Sequence, residues 1–164
     1  MKEMCDGKYA DLEQRAEKLT PHLTLFYKKN KKRLEKMDNL VHELHQEHSA
    51  AINCLECANC CRCLGPAIYD KDIERMAKAL RMKPVDVVTN YLRMDEDGDY
   101  VFNTMPCPFL MPDNYCSIYE ARPKACREYP HTDRKKFFQI YKLTVKNIST
   151  CPIAFEVMAH LIEE

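Results

Sequence analysis

Five cysteines crowd the ten-residue window CLECANCCRC, from Cys54 to Cys63, and no other feature narrows the chain's options as far. Thiols two or three positions apart are badly placed to bridge one another, because a disulfide needs particular Cα and Cβ separations. They are well placed to converge on one inorganic centre. Further cysteines follow at Cys107, Cys116, Cys126 and Cys151, and Cys5 stands alone near the start. The opening MKEMCDGKYADLEQRAEK carries no apolar run of the signal-peptide kind, so a reducing, cytoplasmic setting is expected. In that setting clustered cysteines bind metal or do redox chemistry rather than staple a scaffold.

The rest of the composition excludes other classes. A chain of 164 residues is one ordinary domain with room for an appendage. Lys plus Arg and Asp plus Glu number 25 each, so there is no basic excess to displace counterions from phosphates, and nucleic acid is not an expected partner. No stretch approaches the roughly 20 apolar residues of a membrane span, so no membrane is expected either. There is no G-x-S-x-G elbow, phosphate loop, dinucleotide fingerprint or H-E-x-x-H helix. No residue set defines a reaction, which leaves enzymatic activity open.

The expected fold class is mainly α with a small irregular and β portion: a helical domain around a loop-rich, cysteine-ligated metal centre. Residues 1–50 read as an N-terminal amphipathic helical segment and residues 51–164 as the cysteine-cluster domain. In the first segment Leu12, Ala16, Leu19, Leu23, Phe26, Leu34, Met37, Val41 and Leu44 recur at helical spacing. Thr20-Pro21 suits an N-cap and first-turn proline, giving two helices or one kinked helix. The run Lys28 to Arg33 reads as a solvated face or a helix–helix turn. These helices are the surface expected to dock a protein partner.

Beyond the cysteine window, a helix is expected from about Lys71 to Met82, capped by Asp70. Lys83-Pro84 breaks it, a short helix runs from Val85 to Leu92, and Asp97-Gly98 signals a hairpin. Asp95, Asp97 and Asp99 imitate a calcium loop, but its last position would be Pro106 instead of a bidentate Glu, so that pattern fails. The stretch TMPCPFLMPDNYCSIYEARPKACREYPHTD reads as irregular chain with short strands. From Asp133 helix returns, with Phe137, Phe138, Tyr141, Val145 and Ile148 on one face. Cys151-Pro152 interrupts it before a last helix carrying Phe155, Met158, Leu161 and Ile162.

Cys54, Cys57 and Cys60 are each two residues apart, with Cys61 vicinal and Cys63 just beyond. One C-x2-C knuckle suits zinc, and two knuckles make the usual four-cysteine site. Three thiols in a C-x2-C-x2-C run are more characteristic of an iron–sulfur cluster whose fourth ligand is a remote Cys-Pro. Cys107-Pro108 and Cys151-Pro152 both offer that dipeptide, although the full bacterial ferredoxin run is absent. Arg62, Arg122 and Arg127 lie near these cysteines in sequence and either donate to sulfur or tie down the loop. His42, His45 and His48 recur every three residues on the second helix, as surface or packing residues or as zinc ligands. His131 is a better-placed spare ligand, and Tyr119 and Tyr129 are expected to pack the loop core.

The run CLECANCC, then CPFL, then CSIYEARPKACREYP, and a late CP, resembles the CxxCxxCC family of zinc- or iron-chelating proteins, also called YkgJ-like cysteine cluster proteins. The resemblance extends from about Asn53 to Pro152, four segments in order. It implies a bacterial cytoplasmic protein with a metal or iron–sulfur centre on Cys54, Cys57, Cys60, Cys61, Cys107, Cys116, Cys126 and Cys151. Cys63 and Cys5 are additional to the pattern. Eight cysteines fit two four-thiolate sites or one polynuclear site. An iron–sulfur cluster or iron is the favoured cofactor, for redox, sensing or support of a partner; zinc stabilising an interaction module is the alternative.

Overall fold

The computed structural model describes residues 9–163, so Cys5 lies outside the described residues. In chain order, helices α1 (Leu12–Leu34), α2 (Asp38–Ala51), α3 (Cys54–Cys57), α4 (Asn59–Cys63), α5 (Asp70–Leu80) and α6 (Pro84–Tyr91) come first. Strands β1 (Leu92–Met94) and β2 (Tyr100–Phe102) follow, then α7 (Lys124–Glu128), α8 (Tyr141–Asn147) and α9 (Pro152–Leu161). The fold is mainly α with a small β portion, as expected. Among the described residues no helix is long and apolar enough to cross a membrane.

Compactness divides the chain differently from sequence texture. One unit comprises residues 54–129; the other joins residues 9–53 to residues 130–163. In the second unit α9 packs against α1, α2 and α8. Ile153, Ala154, Phe155, Val157, Met158 and Leu161 are all buried, so α9 is apolar almost all round and serves as the central helix of its unit. Leu12, Ala16 and Leu23 of α1 and Val41 of α2 complete that core with Phe137, Tyr141 and Ile148. Two long-range polar ties fix it. The Tyr141 hydroxyl donates to the Leu23 carbonyl at 2.9 Å, and the Asp38 carboxylate accepts the N–H groups of Lys136 and Phe137.

Thr20-Pro21 does not cap a second helix. α1 continues as one helix through Pro21, the single-helix alternative, and the Thr20 hydroxyl donates to the Ala16 carbonyl at 2.7 Å. Proline removes one backbone hydrogen bond, but apolar residues buried on both sides of it, Ala16 and Leu23, keep the helix in place. The Lys28 to Arg33 run forms the end of α1, where Lys31, Lys32 and Arg33 complement the negative end of the helix dipole. The turn follows at residues 35–37.

In residues 54–129, α5 begins at Asp70 instead of being capped by it; the N–H of Tyr69 is taken by the Asp72 carboxylate at 3.0 Å. Pro84 opens α6 as a first-turn proline. The hairpin pairs Leu92 with Phe102 and Met94 with Tyr100, and Gly98 supplies the positive φ, +84°, that the turn requires. Asp95 folds this turn by accepting the Asp97 and Asp99 N–H groups at 3.0 and 2.9 Å. Ile68, Ile73, Met76, Val87, Leu92, Phe102, Phe109 and Ile118 form one apolar cluster. The strands expected after residue 104 reduce to a single bridge between Leu110 and Cys116, and the short helix α7 was not signalled by the sequence.

Candidate metal centre

Four chain segments carry the thiols of residues 54–129. α3 holds Cys54 and Cys57; α4 holds Cys60, Cys61 and Cys63. Between them Ala58 adopts the left-handed conformation, φ +52°, which lets two one-turn helices follow each other directly. The Cys107 N–H donates to the Cys61 carbonyl at 2.8 Å and so splices the Cys-Pro segment onto the window. A tight loop then returns the chain to Cys116, closed by Ser117 N–H to the Phe109 carbonyl and Met111 N–H to the Tyr115 carbonyl. At its tip Asn114, φ +71°, donates to the Glu56 carbonyl at 3.1 Å. The Arg62 guanidinium joins the same brace, donating to Asn114 Oδ1 and to the Cys57 carbonyl. Cys126 arrives on α7.

The thiols of these segments influence one another's ionisation. Cys54, Cys57, Cys107, Cys116 and Cys126 all feel the charge of Cys61. Burial pushes the Cys107 thiol up to about 11 and the Cys126 thiol up to about 12, and neighbouring thiolates add to both shifts. Partial desolvation also raises Cys57 and Cys116, which are half-buried, and Cys54, whose side chain is nevertheless exposed to solvent. Cys61 goes the other way, to about 7, because the Cys60 side chain hydrogen-bonds to it and Arg122 and Arg62 outweigh its own burial. Two of the three arginines singled out in the sequence therefore face the thiols. Arg122 favours the charged forms of Cys54, Cys61, Cys116 and Cys126; Arg62 favours those of Cys57 and Cys61. Arg127 is exposed on α7.

The thiols of Cys54, Cys57, Cys61, Cys63, Cys107, Cys116 and Cys126 are not joined in S–S pairs. Nor, among the described residues, do three Cys, His, Asp or Glu side chains stand as a closed metal-holding group. The donor chemistry nevertheless suits a soft or borderline cation: half-buried sulfurs, most of them with raised pKa, and guanidinium groups that favour their charged forms. Cys151 belongs to the other unit, 6% exposed and at the N-cap position of α9. The α2 histidines are also in that unit and engage separate partners. His42 Nε2 lies 3.0 Å from the Arg134 carbonyl, His45 Nδ1 is hydrogen-bonded to the Thr132 hydroxyl at 2.7 Å, and His48 stacks on His160. His131 is there as well, in a left-handed turn. Tyr119 is not a core residue: it is 37% exposed and carries the Arg122 guanidinium 3.7 Å above its ring.

Sequence reasoning passed over Asn114, Asp72 and Arg75. The PDNY turn signalled the first; an acid and a base three apart on α5 signalled the others without showing what they reach.

A helical fold with a cysteine-lined, arginine-flanked cluster defines a thiol-rich chelating domain. Residues 53–151 match the CxxCxxCC family model, described as a "putative zinc- or iron-chelating domain". The match spans more than half of the chain, and the protein belongs to this family. No curated protein and no solved structure matches it.

Proposed function

We propose that this protein binds an iron–sulfur cluster or iron through Cys54, Cys57, Cys60, Cys61, Cys107, Cys116 and Cys126, for redox, sensing or support of a partner. The observation that carries the reading is the stitching together of the thiol-bearing segments: the Cys107 N–H on the Cys61 carbonyl at 2.8 Å, and Asn114, from the loop before Cys116, on the Glu56 carbonyl at 3.1 Å. A metal ion displaces thiol protons, and that makes half-buried, high-pKa thiols such as Cys107 and Cys126 useful as donors. Iron is favoured over zinc by the C-x2-C-x2-C spacing and by a thiol count larger than one closed tetrahedral site uses. Bound iron supplies a one-electron redox couple, while Arg62 and Arg122 offset thiolate charge.

The second reading is a zinc-stabilised interaction module without catalytic activity, favoured by the closed character of four-thiolate zinc sites. In either case α1 and α2 are proposed to dock a protein partner, and the compartment is proposed to be the reducing cytoplasm. Protein purified without oxygen decides between the metals. Brown colour, thiolate-to-iron absorbance and acid-labile sulfide are expected; colourless protein with stoichiometric zinc would select the second reading. Protein that takes up neither metal would defeat both.

A further inference from the structure

Asp72 is the one charged residue among the buried side chains described, 2% exposed on the first turn of α5. A carboxylate that only capped its own helix would need the Tyr69 N–H and could face water. This one also reaches a segment 52 residues away: Oδ1 accepts the Lys124 N–H at 2.9 Å and the Arg75 guanidinium at 2.6 Å. The same Arg75 Nη2 donates to the Arg122 carbonyl at 2.8 Å. The tripeptide Arg122-Pro123-Lys124 is thus held at both ends, and Pro123 between them has its φ fixed by its ring.

Both flanks of that tripeptide lead to the thiols. On one side the Arg122 side chain donates from Nε to the Tyr119 carbonyl at 2.8 Å and lies over the Tyr119 ring. On the other, Lys124 begins α7, and its N–H, which has no partner within the helix, is the one Asp72 accepts. Cys126 sits two residues further on. For stability alone a buried carboxylate with a half-buried arginine is a poor choice, since well-packed apolar side chains of similar size do as well. What it provides is directionality.

We propose that Asp72 and Arg75 are positioning residues for the thiol centre, clasping Arg122 and Lys124 so that the Arg122 guanidinium and the Cys126 thiol are presented to the thiols of α3, α4 and Cys116. The proposal deepens the metal-centre reading and rests on it. Outer partners that orient ligands are typically worth about 10- to 100-fold in metal affinity.

The test uses Asp72→Ala, Asp72→Asn and Arg75→Lys in the full chain, with two readouts. The first is amide hydrogen exchange of the metal-free protein, followed on peptides covering residues 119–129, 54–63 and 84–102. The second is iron or zinc retention against a competing chelator. Asp72→Ala is expected to speed exchange about tenfold or more at residues 122–128 and leave residues 84–102 unchanged, with metal lost about tenfold faster. Asp72→Asn and Arg75→Lys, which keep shape and part of the hydrogen bonding, should fall in between and remain measurable if Asp72→Ala does not fold. Wild-type exchange at 122–128 in all three variants would overturn the clasp, and so would equal acceleration across all three peptide sets. If the wild type itself retains no metal, the metal-centre reading fails while the exchange arm still decides the clasp.

Discussion

α9 buries apolar side chains on nearly every side, whereas α3 buries no side chain and α4 buries only Asn59. The contrast extends beyond these helices. Residues 9–53 and 130–163 build long helices around aliphatic and aromatic side chains; the thiol-bearing segments are one-turn helices and loops pinned by backbone hydrogen bonds, Asn114 and Arg62. A helix of a single turn does not hold itself, because nucleation takes away more backbone freedom than one hydrogen bond repays. The cysteine window therefore depends on its tertiary ties and, in the proposed function, on metal. One unit is held by packing around α9; in the other an apolar cluster of its own stands beside a cysteine window held by hydrogen-bonded ties and, in the proposed function, by metal.

Removing metal should separate the two most widely. Chelation under reducing, oxygen-free conditions is expected to accelerate amide exchange in residues 54–63 and 107–126 by about a hundredfold, with α2 and α9 unmoved. Equal acceleration throughout would erase the distinction. Leu23→Ala tests the other side: it should cost about 3 kcal/mol in urea unfolding, the typical large-to-small penalty, without altering metal content. A loss of metal from this change would tie the apolar core to the centre.

Asp72→Asn is expected to cost about 2 kcal/mol at pH 7 by weakening charge-assisted hydrogen bonds to a buried carboxylate. Its pH dependence has a defined sign. Burial alone would raise the Asp72 carboxyl, but the N–H groups of Tyr69 and Lys124 and the Arg75 guanidinium prevail and hold it below the usual range. The native advantage over Asn is thus complete above the unfolded value of about 3.9 and disappears as pH falls through the lower folded value. A gap that widened on acidification would contradict this assignment. The smallest effect is expected from Tyr141→Phe, about 1 kcal/mol for one buried hydrogen bond to Leu23, read by thermal unfolding. Metal content should again be unchanged.

Much of this was legible because its causes are local. Lys83-Pro84, Asp97-Gly98 and Cys151-Pro152 each act on their immediate neighbours, and the breaks and the turn occur where those dipeptides stand. The cysteine segments announced the family in the same way, through spacing. What sequence could not show is what distant segments do to each other. At Pro21 the local reading left two helices or one kinked helix, and burial of Ala16 and Leu23 on either side of it goes with the single helix. Asp70 looked like the cap of α5, yet the carboxylate that matters is Asp72, whose second partner lies 52 residues on. Tyr119 reads as a core aromatic until Arg122 is found above it.

The proposed function requires thiols from separate segments to hold metal together, and differential thiol labelling tests that most directly. Protein prepared without oxygen is alkylated before and after chelation, and each cysteine is followed by mass spectrometry. Cys54, Cys57, Cys61, Cys107, Cys116 and Cys126 should be protected together and become reactive together once metal is withdrawn. Labelling rates that are the same with and without chelator would contradict the account.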